Sequence, residues 1–301
     1  MMEEEYRCCR LCPANCGADR ISGKYGACGM GAAVTAARAA LHFWEEPCIS
    51  GKEGSGTVFF SGCPLGCVFC QNREISKMHA GKTISTERLA EIFLELQGQK
   101  ANNINLVTAV HFVPSVVNAL ETAKARGLII PVVYNSSGYE SVRTLKMLEG
   151  LVDVWLPDFK YFDAEPAARY SRRADYPERA KEALAEMVRQ AGAPVFDEQG
   201  MMKRGVIVRH LLLPGQTGNA KRVIRYLHET YGNEIWISIM NQYTPMSGIG
   251  ERWPELDRQC SPEEYERVLD FAARIGVENG FRQEGGTIGE SFIPAFDLQG
   301  I

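Results

Sequence analysis

From residue 57 onward the chain alternates short β-branched or apolar runs with helix-period segments, and this alternation restricts the possible folds more than any other feature. The runs at 57–60, 104–108, 129–134, 152–156, 206–213 and 235–240 predict six strands. Helical patterns are expected at 85–97, 114–126, 138–149, 176–190, 219–231 and 262–275, with 192–203 as an irregular connection. Thr86 and Glu87 supply a cap and a first-turn acid for the first of these helices, and the last carries acids early and arginines late. A helix after each strand forces crossover connections and hence a parallel sheet. Six such units predict an α/β fold, a partial (β/α)6 TIM-like barrel with its chemistry at the C-terminal ends of the strands. Residues 1–50 read as a separate Cys-rich extension and 51–301 as the barrel domain with a C-terminal extension. No repeat of 20–50 residues and no low-complexity segment interrupts this pattern.

Lys plus Arg number 33 against 37 Asp plus Glu, a net charge of −4, so bulk charge gives no support for binding nucleic acid or an anionic membrane. The longest apolar stretches are interrupted, as 206–213 is by Arg209 and His210, and none would span a bilayer. The first residues, Met-Met-Glu-Glu-Glu-Tyr, lack an apolar signal core, and a soluble, cytoplasmic protein is expected. In a reducing compartment, clustered thiols serve as metal ligands or catalytic groups. Of ten cysteines, eight fall within the first 70 residues: Cys8, Cys9, Cys12, Cys16, Cys28, Cys63, Cys67 and Cys70.

Cys63-Pro-Leu-Gly-Cys67-Val-Phe-Cys70 directly follows the first predicted strand with the spacing C-x3-C-x2-C. Three thiolates on one loop can bind three irons of a [4Fe-4S] cluster and leave the fourth iron open. The competing reading is a zinc site with a distant fourth ligand. Position at the end of a barrel strand, where barrel enzymes carry their chemistry, favours the cluster. A second set, Cys9-x2-Cys12-x3-Cys16-x11-Cys28, has enough sulfur to saturate one structural zinc or iron, with Cys8 able to replace Cys9 and a relay iron–sulfur cluster as the alternative.

The first motif, with an aromatic Phe69 just before its last cysteine, resembles the signature of the radical S-adenosylmethionine (radical SAM) superfamily. The stretch 61–72, the head segments 11–16 and 25–29, Trp155-Leu-Pro-Asp-Phe-Lys-Tyr161 and Arg209-His-Leu-Leu-Leu-Pro-Gly215 are similar to the pyruvate formate-lyase activating enzyme-like branch. The resemblance implies a radical SAM barrel that cleaves S-adenosylmethionine reductively at the cluster to a 5′-deoxyadenosyl radical, which takes hydrogen from a substrate. In the activating enzymes that substrate is a glycine of a partner glycyl radical enzyme, and a flavodoxin- or ferredoxin-type protein supplies the electron. By the same resemblance, Asp158 and Lys160 match an Asp-x-Lys motif near S-adenosylmethionine and the substrate. Asn135 and Ser136 stand where an Asp-Thr pair helps bind S-adenosylmethionine and a cation. Arg209 matches an arginine near S-adenosylmethionine, and its planar fork suits a carboxylate.

Two departures bear on specificity. A Gly-Gly-Glu segment of that branch is replaced by Thr108-Ala-Val-His111, so Thr108 and His111 become the expected contacts, and a histidine after the sixth strand is replaced by Tyr243 or Gln242. The alternatives are a radical SAM enzyme acting on a small molecule or peptide without a glycyl partner, and a non-catalytic iron–sulfur or zinc binding module. His42, His79, His210 and His228 read as structural or solvent-facing, Cys48 and Cys260 as inert thiols, and Arg169, Arg172 and Arg173 as a solvated helix face. Gly285-Gly-Thr-Ile-Gly289 lacks the strand-to-helix setting of a phosphate loop.

Overall fold

The computed structural model describes residues 4–283 and 293–301, so the Gly285–Gly289 stretch lies outside the described residues. Ten strands form one sheet: β1 (Val34–His42), β2 (Ser55–Phe60), β3 (Lys82–Ile84), β4 (Ile104–Val107), β5 (Val132–Ser136), β6 (Val154–Pro157), β7 (Val195–Phe196), β8 (Met202–Leu211), β9 (Trp236–Met240) and β10 (Gly280–Arg282). Their order is β10-β9-β8-β6-β5-β4-β2-β1-β3, with β7 paired to β8. The run from β2 to β10 along this path is parallel, while β1 pairs antiparallel with both β2 and β3. The helices are α1 (Glu4–Arg7), α2 (Pro47–Ser50), α3 (Arg73–Ser76), α4 (Thr86–Gly98), α5 (Val113–Ala125), α6 (Val142–Lys146), α7 (Ala164–Ser171), α8 (Tyr176–Ala191), α9 (Thr217–Tyr231) and α10 (Pro262–Arg274).

Alternation along the parallel strands separates two cores. Val58, Phe60, Leu106, Tyr134, Trp155, Val208 and Ile239 face the helices and share one core with them. Residues of the other parity, Val133, Val154, Leu156 and Ile207, pack inside with Ile49, Cys48 and Met202. That inner apolar plug rests on α2, whose Ile49 and Ser50 carbonyls accept from the side chains of Asn103 and Asn102. Towards the strand ends the same inner face turns polar, through Asn105, Asn135, Arg209 and Ser238, all buried or nearly so. The apolar-to-polar switch on one face creates the site.

Several boundaries differ from the sequence expectations for local reasons. The strand expected at 129–134 is β5, starting at Val132, because Pro131 cannot donate to a ladder and Ile129 is 86% exposed. The helix expected from 138 starts only after Ser141, whose hydroxyl accepts the Thr144 N–H, since Gly138 has φ +77°. The connection at 192–203 instead contains β7, which pairs antiparallel with an early-starting β8. Three strands without a strong apolar signature, β1, β3 and β10, were not anticipated. Residues 34–42 thus belong to the same sheet as the barrel strands. The last residues extend this edge, with Leu298 N–H donating to Ala37 and Gln299 accepting from Ala39 N–H. Among the described residues no helix is long and apolar enough to cross a membrane.

Candidate active site

The loop after β2 is pinned from three sides. Ser61 N–H donates to Thr35, and the Ser61 carbonyl accepts from His111 Nε2 at 2.7 Å. Gly62 has φ +88°, and a Cβ there would lie 2.2 Å from Met30 Cγ and 2.8 Å from the Cys28 carbonyl, so only glycine lets the head approach this closely. Cys63 N–H donates to that same Cys28 carbonyl. On the far side, Val68 N–H donates to Tyr170 O and the Arg173 guanidinium to Pro64 O. Cys63, Cys67 and Cys70 therefore present their thiols to one cavity of about 510 Å³, together with Thr108, Asp158 and Arg209.

Burial, reinforced by the neighbouring Cys67 and Cys70, pushes the Cys63 thiol up to about 12. Burial also raises Cys67, partly offset by nearby Lys160, and Ser171 Oγ donates to its sulfur at 2.9 Å. Cys70 lies 3.3 Å from Ser76 Oγ. Ionised together, three sulfurs on this loop would repel one another and call for positive charge. Among the described residues no three His, Cys, Asp or Glu side chains converge on one point as a single ion would require. A cluster that takes one thiolate per iron needs no such convergence, and the three-thiol loop fits it.

Opposite the loop, the inner strand ends form one ion network. Arg209 sends Nε to Asp158 Oδ1 (3.1 Å), Nη1 to Glu45 Oε2 (3.0 Å) and Nη2 to Asn135 Oδ1 (2.6 Å). Glu45 Oε1 accepts in turn from Asn135 and Asn105. Lys160 Nζ pairs with Asp158 Oδ2. Burial pushes Asp158 up, but Lys160 and Arg209 outweigh it and hold the carboxyl below its usual range. Ser136 donates to Glu140, which burial pushes up to about 8. Gly138 (φ +77°) lies so close that a Cβ would meet the Asp158 carbonyl at 2.1 Å.

A family model of the radical SAM superfamily matches residues 57–227, more than half the chain. The chain belongs to the radical SAM superfamily. It is 29% identical over 246 residues to protein MJ0674 of Methanocaldococcus jannaschii, covering 79% of this chain and 67% of that one. Among solved structures, Streptococcus suis SuiB bound to S-adenosylmethionine matches with TM-score 0.50 at 11% identity. That match covers 77% of this radical SAM protein and 50% of SuiB, so the chain spans half the length of that relative and shares its fold. SuiB without that ligand matches with TM-score 0.48 at 10% identity, over 77% of this chain and 49% of its own.

Within this radical SAM protein, Cys63, Cys67, Cys70, Thr108, Asn135, Ser136, Asp158, Lys160, Arg209 and Phe69 all line the one cavity. Thr108 adopts φ +60°, a strained conformation for a β-branched residue, at the cavity wall. Phe69 packs edge-on against Tyr243 with ring centroids 6.4 Å apart. Of the two residues expected after β9, Gln242 faces the cavity and Tyr243 turns its hydroxyl to the Leu256 carbonyl. His111 lies behind the wall: it is 1% exposed, is spent on Ser61, and burial lowers its ring to about 3. Arg209 spends its donors on Asp158, Glu45 and Asn135, so it organises the floor.

In the head, burial pushes Cys12 up to about 12, with Cys28, Cys9 and Cys16 adding to the rise, so the four thiols share one neighbourhood. Cys8 is exposed while Cys9 is buried, 3.7 Å from Arg20 Nη1. Sequence reasoning missed Arg20, which is buried, donates to the Gly31 and His111 carbonyls and stacks over Tyr6. It also missed Glu45, Glu46, Ser171 and Gln283. None of these sits in a recognisable motif. Arg173, expected on a solvated face, braces the cluster loop, whereas Arg169 pairs with Glu255 at the surface.

Proposed function

We propose that this protein reductively cleaves S-adenosylmethionine and abstracts hydrogen from a substrate held in the same cavity. The observation that carries it is the three-thiol loop after β2 facing the Asp158–Lys160–Arg209–Asn135 network across one cavity. When bound, a [4Fe-4S] cluster and S-adenosylmethionine supply the one-electron bond cleavage and the hydrogen-abstracting radical. The protein's part is to hold and exclude. Cys63, Cys67 and Cys70 would ligate three irons; Ser171 and Lys160 add positive or donor character at Cys67. The Asn135 and Ser136 strand end, strained Thr108 and the Phe69 ring would position S-adenosylmethionine, while Lys160 and Asp158 fix the polar side of the substrate. His111 and Arg20 act behind the wall by anchoring the loop and the head.

Two substrates fit this chemistry. The glycyl-radical activase reading, with a glycine of a partner enzyme as hydrogen donor and a flavodoxin- or ferredoxin-type reductant, rests on the resemblance of 155–161 and 209–215 to activating enzymes. The reading with a small molecule or peptide is supported by the depth of the cavity and its buried acidic floor at Glu45 and Glu46. Cys9, Cys12, Cys16 and Cys28 share one neighbourhood without converging on a point, so holding one zinc or iron would require the head to close around the ion; burial beside Arg20 favours Cys9 over Cys8.

Anaerobically reconstituted protein reduced with dithionite is expected to convert S-adenosylmethionine to methionine and 5′-deoxyadenosine. Cys67→Ala should abolish this. Absence of any iron–sulfur absorption in the reconstituted wild type would refute the proposal. Deuterium entering 5′-deoxyadenosine from a labelled glycyl peptide would establish the activase form.

A further inference from the structure

We propose that Glu46 is the anchor for an alkylammonium group on the substrate. The segment between β1 and α2 crosses the floor of the cavity and contributes two adjacent carboxylates. Glu45 is fully committed to Arg209, Asn105 and Asn135. Glu46 is not. It sits at the N-terminus of α2, where its carbonyl accepts from Ile49 and Ser50 but its side chain makes no capping bond, and it lines the cavity with 8% exposure. Ser238 lies close enough to favour the charged form of its carboxyl, but Oε2 is buried with no hydrogen-bond partner among the described residues. A buried carboxylate oxygen without a partner is costly unless a ligand or a proton completes it.

The surrounding ion pairs leave this side of the cavity short of positive charge. Arg209 spends its guanidinium on Asp158, Glu45 and Asn135, and Lys160 is paired with Asp158. Three inner carboxylates, Glu45, Glu46 and Asp158, thus face two inner cations. Arg282 also lines the cavity but is exposed and forms no ion pair with Glu46 among the described residues. Burial raises the Glu46 carboxyl, with Glu45 adding repulsion against the opposing pull of Arg209, whose hydrogen bonds go elsewhere. The approach is aromatic: Phe43 lines the cavity while half-exposed, and a ring face attracts an ammonium in transit. An aliphatic stem would pass this ring and end on Glu46.

This inference rests on the small-molecule or peptide reading of the site, and a binding experiment separates the two. Cluster-loaded protein is titrated calorimetrically with n-butylammonium and with neutral n-butanol, alone and with S-adenosylmethionine present. The amine is expected to bind about tenfold or more tighter than the alcohol, the scale of one charge-assisted hydrogen bond. Glu46→Gln should erase that preference, with S-adenosylmethionine affinity measured on the same variant. A tighter hold on Nα-acetyl-lysine amide than on n-butylammonium assigns the ammonium to a peptide side chain, and the reverse order to a free amine. Equal binding of amine and alcohol, or a preference that survives Glu46→Gln, overturns the assignment. So does a Glu46→Gln variant that loses S-adenosylmethionine affinity, which would give the carboxylate to the co-substrate. Failure to form 5′-deoxyadenosine with the amine preference intact would instead refute the radical SAM activity alone.

Discussion

Replacing Arg209 by methionine keeps most of its apolar stem and deletes the fork that joins three strand ends. In the structure this side chain is buried, and its three bonds end on Asp158, Glu45 and Asn135. Removing one member of a buried ion pair leaves a bare charge and costs about 3–5 kcal/mol, against at most about 1 for an exposed pair. With unfolding entropy near 2.1 cal/mol/K per residue, a chain of 301 residues loses about 0.6 kcal/mol per degree, so Tm should fall by about 5–8 °C. The control is Arg179, whose pairs with Glu182 and Asp175 are exposed; Arg179→Ala should move stability by no more than about 0.5 kcal/mol. Adding Glu45→Gln to the Arg209→Met variant should recover part of the loss, because one of the stranded charges is gone. The pH dependence supplies a further check. Asp158 is held below its usual range, so its pairing stabilises the fold above the ordinary carboxylate pKa and is lost only as pH falls through the depressed value. Without Arg209 that acid loss should be smaller and should end at a higher pH, because the native value of Asp158 moves back toward the unfolded one. A drop of less than about 2 °C by calorimetry, with an unchanged acid limb, would refute the view of Arg209 as the keystone of the floor.

The remaining predictions address single contacts. Ser171→Ala removes the hydroxyl that donates to Cys67, and the bound cluster's reduction potential should move negative in a potentiometric titration, since hydrogen bonds to sulfur set such potentials. His210 is buried neutral, donating Nδ1–H to Phe159 O, and burial lowers its ring to about 4. Between the unfolded value near 6.5 and about 4 the unfolded chain binds more protons, so stability should fall with decreasing pH by up to about 1.4 kcal/mol per unit, and His210→Gln should flatten that slope in urea titrations. Gly138→Ala would drive a Cβ onto the Asp158 carbonyl, so it should cost more than about 1 kcal/mol in urea unfolding and weaken S-adenosylmethionine binding, whereas Gly127→Ala, with open space around it, should leave binding unchanged.

Much of this was written in one dimension. Alternation of apolar runs and helical patterns determined the parallel sheet, because each strand must bury its helix-facing side chains against the helix that follows it. The C-x3-C-x2-C spacing placed three sulfurs on the loop after the first parallel strand, since local chain geometry alone keeps such residues together. The resemblance to the activating enzymes singled out Asn135, Asp158 and Arg209, whose inward parity follows from the two-residue period of the strands. What the sequence could not supply was the partner of each group. Glu45 and Glu46 lie far from the motifs, and only the crossing of the β1–α2 segment beneath the sheet puts them under Arg209 and Ser238. His111 reads as a strand-end ligand, yet packing turns its ring to the Ser61 carbonyl. Arg20 sits in no motif, and packing makes it the buried tie between head and barrel. Strands β1, β3 and β10, at or next to the ends of the sheet, left little trace, because pairing to an existing sheet rather than their own apolar pattern holds them. Period and spacing are properties of neighbours along the chain; charge balance in a cavity is set by residues that meet only once the sheet has curled.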